Sequence, residues 1–256
     1  MNEMTDHFPP ALFTFFEAMP RQGPGDDAVT AALFDRVRPL LPGPGERAID
    51  AADMGCGSGA AALVLARKGA RVTAVDPHGP FLDALAAAAR KRRLGQRIAT
   101  RRASMIDPGL EPESLDLVWS EGAVFTVGFD AALAEFRRLL RPGGVAVVSE
   151  CSWLRRDPPE AAADFWADAY PGMRTVGGNL LACEAQGFRF LHAQVLPPEA
   201  WERNFHRPAE AVAERLRPGA DPDMAAMIDE QTAEIALFRA HHEAYGYVFY
   251  VVQKPG

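Results

Sequence analysis

Short apolar runs alternating with helix-length segments constrain this chain more than any other feature of it. Between about Ala48 and Glu150 the pattern predicts strands over 48–54, 71–75, 97–103, 115–120 and 145–150, with helices over 60–68, 80–93 and 130–140. Connections of that length make right-handed βαβ crossovers rather than hairpins, so the strands lie parallel and are covered on both faces. The expected fold class is α/β, a doubly wound sheet. The last third reads differently. Strands are predicted over 188–196 and 245–253, and the stretch 199–242 between them is polar, charged and helical in pattern. The first strand is the least typical, with Ala51 and Ala52 where a buried parallel strand usually carries Val or Ile.

Ahead of this alternation stand an aromatic segment from about Phe8 and the loop signal Arg21-Gln22-Gly23-Pro24-Gly25. Asp26 or Asp27 then caps a helix with Val29, Leu33, Val37 and Leu40 on one face, and Pro42-Gly43-Pro44-Gly45 stops it. A chain of 256 residues, 48% hydrophobic and 24% charged, is neither disordered nor fibrous. Its net charge of −7 provides no overall field for nucleic acid. No apolar run approaches the roughly 18 residues of a membrane span. The N-terminus carries Glu3 and Asp6 and no basic start, so it does not read as a secretory signal. Cys56, Cys151 and Cys183 are odd in number, widely spaced and without a CxxC pair. That argues against a disulfide scaffold or a zinc site, and for a reducing, cytoplasmic location.

The stretch Asp53-Met54-Gly55-Cys56-Gly57-Ser58-Gly59 joins the first strand to the first core helix. Glycines there let the backbone turn sharply and approach a ligand, and the helix that follows aims its free N–H groups at the same place. Asp76 closes the second strand, where a carboxylate can accept both hydroxyls of a ribose. An adenosine-containing cofactor is therefore expected. Read as G-x-G-x-x-G, the match is Gly55, Gly57 and Ala60, which leaves a dinucleotide open. Asp53 would repel a pyrophosphate, however, and suits a cationic amino-acid portion. The two late strands with a long insertion also depart from continued parallel βα units. Both features favour S-adenosyl-L-methionine.

On these residues the chain resembles the class I S-adenosylmethionine-dependent methyltransferases over nearly its whole length. DMGCGSG is similar to the family's D-x-G-x-G-x-G motif, VTAVD to the second-strand motif, and LDLVWS and LRPGG to the fourth strand and the turn before the fifth. RQGPG, WSEGAVFTVGF, SECSWL, FWADAYP and YGYVFYVVQK resemble a bacterial subgroup of small-molecule methyltransferases. The resemblance implies a Rossmann-like seven-strand sheet whose last strand is antiparallel and inserted between strands five and six. It implies one domain over 1–256, with an N-terminal lid over 1–45 and a cofactor-binding core over 46–153. C-terminal strands over 154–256 carry a helical cap at about 199–242. By position, Gly55, Gly57 and Gly59, with Ser58 among them, pass under the methionine part of the cofactor, and Asp53 sits near its amino group. Asp76 binds the ribose, and Ser104 and Met105 flank the adenine. Ser120 and Glu121 face the reacting centre, and Arg21 and Gly23 close over the cofactor.

Glu121 ends a buried strand at the ligand-binding edge and is the candidate catalytic residue, a general base, with His7 and Tyr245 behind it; the alternative is a carboxylate that orders a loop. Glu150, ending strand five, reads equally as a structural acceptor or a substrate contact. Cys56 reads as a small filler of a tight turn, with no His beside it to make a nucleophile. His241 and His242 are adjacent on a helix and do not face one way. Arg90 to Arg93 ends a helix, where cations are favoured anyway. Trp119, Phe125, Trp153, Trp166, Tyr170 and Trp201 are core aromatics that, as a group, supply some wall for a cationic substrate. The expected activity is methyl transfer to a small-molecule acceptor, amine-bearing or cationic, with proximity and orientation supplying most of the rate. No metal, nucleic-acid or membrane partner is expected. One alternative is an NAD(P)-dependent oxidoreductase, though with only Lys68, Lys91 and Lys254 in the chain a catalytic lysine is poorly provided for. The other is a non-catalytic module that binds S-adenosylmethionine. An NPPY-like motif is absent; Ser120-Glu121-Gly122-Ala123 stands in its place.

Overall fold

Seven strands form one sheet in the computed structural model, which describes residues 9–41 and 47–256. They are β1 (Asp50–Met54), β2 (Arg71–Asp76), β3 (Ile98–Arg102), β4 (Leu115–Glu121), β5 (Leu140–Trp153), β6 (Arg189–Val195) and β7 (Tyr245–Gln253). Their order across the sheet is β3-β2-β1-β4-β5-β7-β6. The strands β1 to β5 pair in parallel, and β7 runs antiparallel between β5 and β6. This is the expected topology, including the inserted last strand. The chain steps outward from β1 to β3 and returns to β4 on the other side of β1. The reversal leaves a crevice beyond the carboxyl ends of β1 and β4, where doubly wound sheets bind ligands.

The helices are α1 (Pro10–Glu17), α2 (Asp27–Val37), α3 (Ala60–Arg67), α4 (Gly79–Lys91), α5 (Phe129–Leu139), α6 (Glu160–Ala169), α7 (Val176–Ala185), α8 (Pro198–Trp201), α9 (Arg207–Leu216) and α10 (Pro222–His241). A π-helical stretch, Glu202–His206, joins α8 to α9. The expected stop over 42–45 and the candidate base His7 lie outside the described residues. β5 begins five residues earlier than expected, at Leu140, because the Arg141–Gly144 turn already extends along the sheet. Neither α6 nor α7 was expected. Only Ala162 of α6 and Asn179 and Cys183 of α7 are buried, so neither helix has an apolar stripe to read.

One core lies on each face of the sheet. Along β7, Tyr245, Tyr247, Phe249 and Val251 enter one core and Val248, Tyr250 and Val252 the other, the period-two alternation of a strand buried on both faces. The small residues of β1 have a packing reason. Ala51 pairs with Leu117 and shares a core with fully buried Trp119 and with Ala61 and Ala62 of α3. Bulk on β4 and a close-lying helix take the volume that Val or Ile would fill. At the opposite edge, buried Asp116 receives Arg47 at 2.7 and 2.6 Å and Arg141 at 2.8 Å. Burial opposes its charge, but these bonds and one from Asp50 N hold its pKa below the usual carboxylate range.

Asp26 is the cap of α2, its Oδ1 accepting from Ala28 N at 2.8 Å and Val29 N at 3.2 Å. Its Oδ2 accepts from Arg203 at 2.6 Å and Asn204 at 2.9 Å. One carboxylate thus caps a helix and ties the N-terminal segment to the helices over the sheet edge.

Candidate active site

The turn after β1 folds back over the end of β2. Gly55 N and Cys56 N donate to Val75 O at 2.9 and 3.0 Å. Gly55 has φ +70°, and a Cβ there would meet Ala123 and Met105, so only glycine keeps this backbone open to the cavity above it. Asp76 Oδ2 accepts from Gly57 N at 2.9 Å and Oδ1 from His78 N at 2.8 Å. Burial raises its pKa against the pull of these two bonds. Each oxygen keeps capacity for a further donor, which is what a ribose diol requires. Asp53 is 1% exposed, with Oδ2 accepting from Ala62 N in the first turn of α3 at 2.8 Å. Burial first, then the charges of Glu121 and Asp76, push its carboxyl up to about 8 despite the Ala62 bond and the nearby Arg21. The floor of the crevice therefore holds two buried carboxyl groups with few internal donors, which a cation would draw toward their charged form. It suits a cation and is hostile to a pyrophosphate, so the dinucleotide alternative does not fit.

Glu121 is placed at this edge as expected, but its carboxylate is occupied. Oε2 accepts from Arg21 at 2.7 Å, and Oε1 accepts from Thr30 Oγ1 at 2.6 Å and Trp119 Nε1 at 2.8 Å. These bonds hold the 21–25 loop and α2 onto the sheet, the loop-ordering role that stands beside the general base as the alternative for Glu121. Tyr245, the second candidate, is fully buried, and burial drives its hydroxyl away from ionisation. Cys56 is buried, and its thiol is pushed up by burial, as suits a filler of the turn. Gln22 was not anticipated. Its Oε1 accepts from Ser58 N at 2.7 Å and its Nε2 donates to Phe16 O at 3.1 Å, so it stitches α1 to the glycine turn. Its place inside Arg21–Gly25 was the only signal.

A cavity of about 680 Å³ opens over the turn, a size typical of ligand sites. Among the expected site residues, Arg21, Gly23, Asp53, Gly55, Gly57, Asp76, Ser104, Met105 and Glu121 line it. Three expected residues do not. The backbone N–H of Ser58 is bonded to Gln22, and Ser120 Oγ donates to Met54 O at 2.7 Å inside the sheet. Gly59, at φ +87°, abuts Leu85 of α4, where its missing side chain lets two helices approach. These three support the site rather than face it. At the Asp76 end His78 stacks on Phe13 at 4.3 Å, meets Phe81 edge-on at 4.5 Å and bonds Glu17 through Nε2 at 2.7 Å.

The same cavity is also lined by Trp166, Trp201, Phe205, Gln231, Glu234 and Tyr247. Of the expected aromatics, Phe125, Trp166 and Trp201 reach the cavity, whereas Trp119, Trp153 and Tyr170 do not. Glu150 is 1% exposed and stays outside the lining; burial pushes it up to about 7, against Tyr170 and Arg174. Gln231 and Glu234 were missed. Their signal was polar residues on the buried stripe of α10, in line with Met224, Met227, Ile228, Ile235 and Phe238.

Residues 52–148 match the model of a methyltransferase-domain family. A curated relative, the cypemycin N-terminal methyltransferase of a Streptomyces species, is 32% identical over 127 residues, 46% of this chain and 48% of that protein. The match thus spans about half the length of the relative. A solved S-adenosylmethionine-dependent methyltransferase from Geobacter sulfurreducens, in complex with S-adenosyl-L-homocysteine, is similar with a TM-score of 0.78 at 19% identity, covering 95% of this chain and 98% of that one. Phosphoethanolamine N-methyltransferase 2 of Haemonchus contortus, in complex with phosphomonomethylethanolamine and S-adenosylhomocysteine, gives 0.74 at 16% identity, covering 100% of this chain and 60% of that one. At these identities the solved structures show the shared fold. The methyltransferase-domain match takes in the glycine turn and Asp76, and the fold that the solved methyltransferases share extends over nearly the whole chain.

Proposed function

We propose that the chain transfers a methyl group from S-adenosyl-L-methionine to a small-molecule acceptor that bears an amine. The observation that carries this is one cavity with two chemistries. Its floor is the acidic glycine turn, and its lining also includes aromatic residues with Gln231 and Glu234 among them. When bound, the cofactor supplies a methyl already activated on a cationic sulfur. Asp53 would pair with its ammonium, Asp76 would accept the ribose hydroxyls, and Ser104 and Met105 would flank the adenine. The N-terminal segment acts as a lid, clasped through Arg21 and Glu121, and α8 to α10 act as the cap that shapes the acceptor side. The chain then contributes mainly alignment of the acceptor nitrogen and exclusion of water. The relatives support nitrogen as the acceptor atom: one is named an N-terminal methyltransferase and another an N-methyltransferase of phosphoethanolamine.

Calorimetry with S-adenosylhomocysteine at pH 8 tests the cofactor half, with a dissociation constant on the order of micromolar expected. Absence of heat or of any thermal shift with this ligand would overturn the proposal. Mass spectrometry of turnovers with a panel of small amines tests the acceptor half, with one added methyl expected.

A further inference from the structure

Three side chains extend from the acceptor wall to the protein surface. Glu234 lines the cavity and is 9% exposed, and neither of its oxygens accepts a hydrogen bond from any described residue. Behind it lies His206, fully buried, its Nε2 at 3.3 Å from Glu234 Oε2 and neither ring nitrogen engaged in a hydrogen bond in the empty protein. The other ring nitrogen, Nδ1, lies 3.5 Å from Glu202 Oε2. Glu202 is a quarter exposed and reaches solvent beside Arg239, at 2.8 Å, and Arg207, at 3.4 Å. The π-helical stretch Glu202–His206 carries both ends of the second contact. Such wide turns inside helical segments recur at functional sites. Aromatic rings fix the imidazole in place: Phe238 packs edge-on at 4.9 Å, Trp201 lies at 5.6 Å and Phe205 at 5.9 Å.

A carboxylate buried at a cavity wall without a hydrogen-bond donor is an unfavourable arrangement for the empty protein. A ligand that brings N–H donors and positive charge removes the penalty. Trp166, Trp201, Phe205 and Tyr247 around it favour the same charge. We propose that Glu234 is the acceptor-binding residue and proton acceptor of this enzyme, that its ligand is a primary or secondary ammonium, and that His206 and Glu202 form the proton exit behind it. This rests on the methyltransfer reading above and names the substrate class of that site. An ammonium has no lone pair and cannot attack carbon until it loses a proton. Its N–H bond breaks with the electron pair staying on nitrogen, and the proton goes to Glu234. Glu234 hands a proton to His206 Nε2 as His206 releases one from Nδ1 to Glu202, and Glu202 releases it to water. Between turnovers the ring regains its starting tautomer, Nδ1 taking a proton from water through Glu202 and Nε2 losing one through Glu234 to water in the emptied cavity. One proton leaves for each methyl transferred, and no further reactant is needed. Glu234 is thus a catalytic residue, and His206 a positioning and relay residue. Among the described residues, the other charged or titratable groups facing these three side chains are Arg239 on α10, Arg207 and Glu210 on α9, Cys151 on β5, and Tyr245 and Tyr247 on β7.

The test loads the full-length protein with S-adenosylhomocysteine and titrates benzylamine, benzyl alcohol and benzyltrimethylammonium by calorimetry. Benzylamine should bind, and the alcohol and the quaternary ion, which cannot donate N–H, should each bind on the order of tenfold more weakly. E234Q should weaken benzylamine by a similar factor while leaving S-adenosylhomocysteine affinity within about twofold, which also certifies its fold. Ring nitrogen shifts of His206, read by NMR on protein with ¹⁵N-labelled histidine, should move when benzylamine binds to the wild type and stay in place in E234Q. Equal affinity for the three probes, no benzylamine binding in the loaded wild type, or an E234Q variant that binds benzylamine like the wild type would each overturn the inference. Those results leave the cofactor reading standing, because only failure to bind S-adenosylhomocysteine removes that. The comparison of the three probes on the wild type decides the matter even if the variant does not fold.

Discussion

At the scale of single residues, Asp53 has the most measurable consequence. Its carboxyl titrates at about 8 in the free protein, so at pH 6 it is protonated. Pairing with the ammonium of S-adenosylhomocysteine favours the carboxylate and pulls that value back down. Binding therefore releases a proton below pH 8, and affinity rises with pH up to that point and then levels. The slope is bounded at about tenfold per pH unit for one proton. Calorimetry at pH 6, 7 and 8 in buffers of different ionisation enthalpy reads both the slope and the proton. An affinity that is flat or falls over this range would show that no cation pairs with Asp53, and Asp53→Asn should remove most of the slope. Gly59 offers a different test. A side chain at φ +87° facing Leu85 adds backbone strain to overpacking, so Gly59→Ala should cost about 2–4 kcal/mol. A melting point lowered by roughly 5–15 °C checks it. Asp53, Asp76 and the glycines were legible because a ligand turn is local: its chemistry sits in seven consecutive residues and one strand end. Gln22, His206 and Glu234 were not, because each acquires its role from a segment far away in sequence. Gln22 meets Ser58, and Glu234 meets His206, only once the chain has folded.

Between elements, the Arg21–Glu121 pair decides how firmly the N-terminal segment is held. Both side chains are nearly buried, so the pair is little screened by solvent, and Thr30 anchors α2 to the same carboxylate. Glu121→Gln keeps the shape and removes the charge, leaving Arg21 facing a neutral group and the more distant Asp27 at 3.4 Å. The expected loss is about 1–3 kcal/mol. It should appear as faster amide exchange in α2 and the 21–25 loop, with β4 and β5 unchanged. If the variant instead abolishes turnover while exchange stays as in the wild type, Glu121 acts in the chemistry and not as a clasp. At this scale the parallel core was readable because each buried strand is an apolar run bounded by glycine or a charge. α6 and α7 escaped because helices that bury one or two small residues carry no periodic signal. In α10 the two polar residues that matter dilute the very stripe that places them.

For the molecule as a whole, the net charge of −7 is less informative than where the carboxylates are buried. Asp26, Asp130, Glu202 and Glu210 sit below their ordinary values, held there by arginine or asparagine bonds or by a helix cap. Groups of that kind contribute stability above their unfolded values and lose it only as pH falls through the folded ones, so their contribution is complete by about pH 5. Asp53, Glu150 and Asp76 do the reverse. Their folded values are raised by burial, Asp53 to about 8 and Glu150 to about 7. Their contribution is full below the unfolded values near 4 and is lost as pH rises through the folded ones. Stability of the free protein should therefore be greatest near pH 5 and decline from there to about pH 8, at roughly 2–4 °C in melting temperature for each kcal/mol lost. A cationic ligand over Asp53 compensates part of that loss, so the thermal shift produced by S-adenosylhomocysteine should be larger at pH 8 than at pH 6. Melting curves at pH 5.5, 6.5, 7.5 and 8.5, with and without the ligand, check both halves. A melting point that rises through this range would mean that the buried acids are compensated already in the free protein. A ligand shift independent of pH would mean that the cofactor does not use Asp53 as its counter-charge.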